Sequence, residues 1–142
     1  MLRLPVELTR SRTGLHARRT SVIIVGGRGE PRVISEPSKP SRGTYSVGKS
    51  GYVELNLSPG EYAVLATLTM GPKGRVTGTF SVIDSNGVER LRVKYRRFKL
   101  RLSSGSPELS WAVDQAVSAL GLSSYVRRSN YGRRPRGSGK PS

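Results

Sequence analysis

Tyr52-Val-Glu-Leu-Asn-Leu57, followed by Ser58-Pro-Gly-Glu61 and Tyr62-Ala-Val-Leu-Ala-Thr-Leu-Thr-Met70, carries the clearest structural signal in the chain. Its first six residues alternate apolar and polar, the period of a strand with one buried face. Pro-Gly supplies a turn, and the Val, Leu and Thr of the second segment suit a pleated surface. Gly71-Pro-Lys-Gly74 then leads into Arg75 to Ile83, which ends at Asp84-Ser-Asn-Gly87. Asn-Gly is the strongest short hairpin signal present. Strand, turn, strand, turn, strand at this spacing predicts an antiparallel meander.

Outward from this centre, Leu2, Leu4, Val6 and Leu8 alternate, and Thr20 to Val25 is a β-branched run. The density of Gly, Pro and Ser between Gly26 and Gly51 predicts long loops around one short strand near Arg32 to Ser35. One helix is signalled: Ser106 as N-cap, Pro107 at the first helical position and Glu108 at the positive end of the dipole. Leu109, Val113, Ala116, Val117 and Leu120 recur at helical spacing, with Trp111, Ala112 and Ala119 widening the apolar face. Gly121 then suits the position after the helix, with Leu122 folding back on the last turn. From Ser123 the periodicity is lost, and the Arg, Gly and Pro content predicts a segment disordered when free. The expected fold is therefore mainly β. It is a small antiparallel β-barrel or β-sandwich of about six strands, with one C-terminal α-helix at about 107–120. The expected domain spans 1–122, and a basic tail occupies 123–142.

Gly51-Tyr-Val-Glu-Leu-Asn-Leu-Ser-Pro-Gly-Glu-Tyr-Ala-Val64 resembles the strand-turn-strand signature of transthyretin-like and carboxypeptidase-regulatory-like sandwiches. The resemblance covers about a tenth of the chain and implies an antiparallel β core. In general style, small size and basic tails around a neutral middle also resemble ribosomal proteins.

The 142 residues hold 25 Lys and Arg against 9 Asp and Glu, a net charge of +16. Such an excess in one small chain points to a polyanionic partner. The charge is segregated. Residues 43–88 are neutral, residues 89–102 hold seven cations against one acid, and residues 123–142 hold six cations and no acid. Within Glu89-Arg-Leu-Arg-Val-Lys-Tyr-Arg-Arg-Phe-Lys-Leu-Arg-Leu102, Leu91, Val93 and Tyr95 share one face. After one extra residue, Phe98, Leu100 and Leu102 resume the pattern, as a β-bulge in one long bent strand would allow. Arg90, Arg92, Lys94, Arg96 or Arg97, Lys99 and Arg101 occupy the other face. Same-face neighbours stand about 6.6 Å apart, close to the spacing of successive phosphates along a nucleic-acid strand. Arg127, Arg128, Arg133, Arg134 and Arg136 alternate with Tyr125, Tyr131 and glycines, a composition suited to an arm that orders on RNA or DNA. Arg10, Arg12, Arg18 and Arg19 form a further basic segment. Nineteen of the 25 basic residues are Arg, which favours phosphate geometry.

Catalytic signals are weak by comparison. Gly43-Thr-Tyr-Ser-Val-Gly48-Lys49-Ser50 matches the string of a phosphate-binding loop in full. That chemistry needs a strand before the loop and a helix after it. Here Glu36-Pro-Ser-Lys-Pro-Ser-Arg42 precedes it and the alternating Tyr52 to Leu57 follows, so the match is read as accidental. Gly26-Gly-Arg-Gly29 lacks the full dinucleotide fingerprint. With no Cys there is no disulfide, thiol nucleophile or Cys-ligated metal, and His16 alone leaves no multi-His site. No apolar run nears the roughly 18 residues of a membrane span. Arg18-Arg19 precedes too short an apolar segment for a twin-arginine signal.

The expectation is a non-catalytic nucleic-acid-binding protein of the cytoplasm, with no cofactor, metal, small-molecule substrate or membrane. RNA, as rRNA, is preferred over DNA because basic arms at both ends suit threading into folded RNA, with neighbouring ribosomal proteins as further partners. The alternatives are a single-stranded DNA-binding or chromatin protein and, from another class, a structural β-sandwich of a virus or cell surface.

Overall fold

In the computed structural model, residues 2–9, 18–27, 30–34, 50–71 and 75–123 are described. They form β1 (Leu2–Thr9), β2 (Arg18–Val25), β3 (Arg32–Ile34), β4 (Ser50–Leu55), β5 (Tyr62–Met70), β6 (Val76–Ile83), β7 (Glu89–Arg96) and β8 (Lys99–Gly105). A 3₁₀ turn (Pro107–Leu109) then leads into α1 (Ser110–Ala119). All strand pairings are antiparallel, in the order β4-β1-β2-β5-β6-β7-β8, with β3 beside the second half of β2. The two ends of this order do not pair, so the sheet stays open and sandwich-like. The structure is thus not the expected barrel alternative, and the described residues form eight strands where about six are expected.

One face of the large sheet is closed by α1. Ile23 and Val25 of β2, Val64 and Ala66 of β5, Phe80 and Val82 of β6, and Leu91, Val93 and Tyr95 of β7 pack there. The helix contributes Ala112, Val113, Ala116 and Val117. Part of the opposite face is covered by the β1/β4 ribbon, whose Leu2, Leu4, Val6, Val53 and Leu55 pack on Val22, Ile24, Ala63 and Ile83. This explains why two kinds of pattern occur. Thr20 to Val25 is buried without interruption because β2 has a layer on each side. β7 alternates buried and exposed because only its helix-side face is covered.

Three local expectations need correction. Tyr52 to Leu57 and Tyr62 to Met70 do not form a hairpin: β4 pairs with β1, and β5 lies between β2 and β6. Ser58-Pro-Gly-Glu61 does turn the chain, with Glu61 N–H donating to the Ser58 carbonyl at 3.0 Å, but it carries the chain from one layer to the other. Period two specifies a strand and its buried face; it does not specify the neighbour. Second, Ser106 gives no side-chain cap, and the helix opens through a 3₁₀ turn closed by Leu109 N–H to the Ser106 carbonyl at 3.1 Å. At the other end Gly121, at φ 74°, takes the left-handed position after the helix. Leu122 N–H reaches the Val117 carbonyl and Gly121 N–H the Ser118 carbonyl, each at 3.0 Å, a Schellman closure. Third, Glu89 to Leu102 is not one bent strand. The chain reverses at Arg97-Phe98, and β7 and β8 pair with Arg96 opposite Lys99. Bulges do occur, but at Val82/Ile83 and Arg92/Val93.

The Asn-Gly turn joins β6 to β7 and is organised by Asp84. Its Oδ1 accepts from Asn86 N–H at 2.9 Å and Val88 N–H at 3.0 Å, and Oδ2 lies 3.4 Å from Arg90 Nη1. The Val88 amide, then the Asn86 amide and Arg90, hold the carboxyl below its ordinary value against the opposing effect of burial. A depressed folded value makes this contribution to stability complete above the unfolded carboxylate range, near pH 4, and lost as pH falls through the folded value. Asp84→Asn is expected to cost about 1 kcal/mol at pH 7 and to flatten the acid limb of stability, measured by urea unfolding between pH 7 and 2.

Candidate nucleic-acid interface

The part of the second sheet face not covered by β1 and β4 is polar and basic. Register fixes its composition: Thr20 of β2 lies opposite Thr67 of β5, Thr67 opposite Thr79 of β6, and Thr79 opposite Lys94 of β7. One step nearer the strand ends, Arg18 lies opposite Thr69, and Thr69 opposite Thr77. The Thr20 and Thr67 hydroxyls are 3.3 Å apart, and Arg18 Nε donates to Thr69 Oγ1 at 3.3 Å. A concavity of about 600 Å³ runs across this floor, with Arg18 at one side and Lys94 and Arg96 at the other. At Gly78 the strands approach so closely that a Cβ would meet the Thr67 carbonyl oxygen and come within 2.9 Å of Leu68 Cα. Glycine there is what allows β5 and β6 to approach this closely.

The basic wall continues into β8. Arg96 faces Lys99, and Lys94 faces Arg101, so like charges stand directly across from each other and destabilise the hairpin. Among the described residues, no acid lies within ion-pair distance of Lys94, Arg96, Arg97, Lys99 or Arg101. At the far end of β7 the situation differs: Arg90 pairs with Asp84 at 3.4 Å and Arg92 with Glu89 at 3.0 Å. The seven-residue basic row thus divides into a neutralised end and an uncompensated one. Protection of an edge strand against pairing with other chains would account for Lys99 and Arg101 on β8. It does not account for Lys94, which stands between Thr79 of β6 and Arg101 of β8.

The tip connecting β7 to β8 is tight. Arg97 and Phe98 both adopt left-handed conformations, φ 54° and 66°, as a two-residue type I′ connection requires. Each costs about 1 kcal/mol for a residue with a Cβ. The reversal removes Phe98 from the core face assigned to it by the alternation, leaving it 46% exposed; Leu102, on the outer edge strand, is 39% exposed. Leu100 is buried against Tyr95 as expected. Burial also pushes the Tyr95 hydroxyl up.

Of the other sequence-derived candidates, Arg18 joins the open face whereas Arg19, one residue on, points to the opposite side. Arg10, Arg12, Tyr125, Arg127, Arg128, Tyr131, Arg133, Arg134 and Arg136 lie outside the described residues. The threonine floor has no counterpart among the sequence-derived candidates. Its signal was present as Thr67-Leu-Thr69 and Thr77-Gly-Thr79, two period-two pairs flanking one turn, and it becomes a site only once the β5/β6 register is known. The phosphate-loop string ends at Ser50, where β4 begins, so strand occupies the place a helix would need. No helix among the described residues is long and apolar enough to cross a membrane.

Fold and site together define a mainly β, sandwich-like protein with one helix-covered face and one open basic face. No protein-family model, curated protein or solved structure matches the chain.

Proposed function

We propose that this protein binds nucleic acid without catalysis, laying a phosphate backbone along the wall formed by Lys94, Arg96, Lys99 and Arg101 and over the threonine floor. The observation that carries this reading is the cross-strand opposition of Arg96 to Lys99 and Lys94 to Arg101, with no acid nearby among the described residues. Self-repulsion held in a hairpin is relieved by a polyanion, and release of condensed counterions supplies the affinity. Threonine hydroxyls add donors that contact phosphate or ribose without reading sequence. RNA is the preferred partner, in a ribonucleoprotein such as the ribosome, because an open hydroxyl-lined floor suits an irregular backbone carrying 2′-hydroxyls.

Fluorescence anisotropy against single-stranded RNA, single-stranded DNA and duplex DNA over a range of salt tests the reading. The logarithm of affinity is expected to fall linearly with the logarithm of salt, with RNA bound tightest. Lys94→Ala/Arg101→Ala is expected to reduce the slope on single strands by about 1.4, from about 0.7 per phosphate contact. An unchanged slope would remove the wall from the site, and tighter binding to either DNA would overturn the preference for RNA. Co-sedimentation with ribosomal subunits at low salt tests the ribosomal assignment; its absence would overturn it.

A further inference from the structure

The tip of the β7–β8 hairpin contradicts its own turn chemistry. A two-residue connection with both central residues left-handed is the place for Asn-Gly, yet this chain sets Arg97 and Phe98 there. Phe98 belongs to neither hydrophobic cluster of the described residues and stands 46% exposed. Its neighbours at the tip are Arg96, Arg97 and Lys99, all exposed. An aromatic ring held in water by an unfavourable turn and surrounded by cations matches a ligand that is flat and apolar at its centre and anionic around it. A nucleobase between two phosphates has that chemistry.

Resting on the nucleic-acid reading above, we infer that Phe98 is a stacking platform for an unpaired base. Arg96, Arg97 and Lys99 engage the phosphates on either side. The base is unpaired because a duplex covers both faces of each base with its neighbours, whereas single strands, loops and bulges leave a face free. The two-residue turn serves this role by fixing the backbone that carries the ring, so little backbone freedom is lost on binding. An anionic bilayer would also attract a ring among cations. Phe98, however, is the lone exposed large apolar side chain at the tip among the described residues, and the adjoining floor is hydroxyl-lined.

The test compares Phe98→Asn and Phe98→Trp in the full chain. Asn favours the left-handed backbone, so the thermal midpoint of that variant is expected not to fall. Its affinity for single-stranded RNA is expected to drop about 5- to 150-fold, the range for loss of one stacked base. Phe98→Trp is expected to retain affinity. Neither variant is expected to change binding to an abasic oligomer of equal length, nor the salt slope. Unchanged affinity of Phe98→Asn for RNA, with the Lys94/Arg101 slope effect intact, would overturn stacking and leave the phosphate reading standing. Loss of the slope effect as well would overturn both. An equal drop on the abasic strand would overturn stacking, and so would a drop confined to vesicles containing phosphatidylglycerol.

Discussion

Lys99→Glu/Arg101→Glu is expected to make the protein more stable and nearly unable to bind RNA. Both substitutions fall on β8, directly opposite Arg96 and Lys94 on β7. They convert two repulsive cross-strand pairs into two attractive ones. Exposed cross-strand pairs contribute a few tenths of a kcal/mol to 1 kcal/mol in either sense, so the hairpin gains about 1 kcal/mol. Binding moves the other way. The change removes two cations and adds two anions along one face, and each unit-charge change at contact distance in water amounts to about 1 kcal/mol. Affinity at low salt is expected to fall by about a hundred- to a thousandfold, with the loss shrinking as salt rises. Thermal unfolding and anisotropy on the same samples measure the two effects. Binding lost in step with stability would return the row to a purely structural role; binding lost as stability rises means the native arrangement is kept for its ligand.

The same opposition explains which parts of the site were legible from sequence. The cations themselves were, because seven in fourteen residues alternate with Leu91, Val93, Tyr95 and Leu100. Their grouping was not. Read as one bent strand, Glu89 to Leu102 would spread the charge in a line, whereas the reversal at Arg97-Phe98 doubles it back and sets the charges in facing pairs. No Gly, Asn or Asp marks that turn, and without one a left-handed pair is invisible to turn chemistry. The floor was hidden for a related reason. Thr67, Thr69, Thr77 and Thr79 are ordinary strand residues by propensity. They acquire a role because β1 and β4 cover only part of the face, a fact set by long-range pairing between Leu2–Glu7 and Ser50–Leu55. By contrast α1 was legible to within a few residues, since proline in the first turn, 3.6-residue spacing and a Schellman ending are all local. Local chemistry identified most of the elements, and pairing over distance brings the candidate site together.

The chain contains two phenylalanines, and the fold assigns them opposite duties. Phe80, in β6, is fully buried opposite Val93 of β7, in the core that α1 covers, and its ring meets Tyr95 edge-on at 6.5 Å and 76°. Phe80→Ala removes that ring from the centre of the larger core and leaves a cavity that neighbours can fill only in part. The expected cost is about 3–5 kcal/mol, a large share of the stability of a domain this size. At roughly 3–4 °C per kcal/mol, the thermal midpoint is expected to fall by about 10–20 °C. Tyr95 lies directly between Lys94 and Arg96, so the site suffers with the core. RNA affinity is expected to be lost above the new midpoint and retained well below it. Phe98 reverses every sign: its replacement by Asn spares or raises the midpoint and lowers affinity at all temperatures. Thermal scans and anisotropy on the two variants side by side separate a ring that holds the sheet together from a ring displayed for a partner. If Phe98→Asn instead lowered the midpoint as Phe80→Ala does, the tip would be part of the core and its exposed ring no evidence of a ligand.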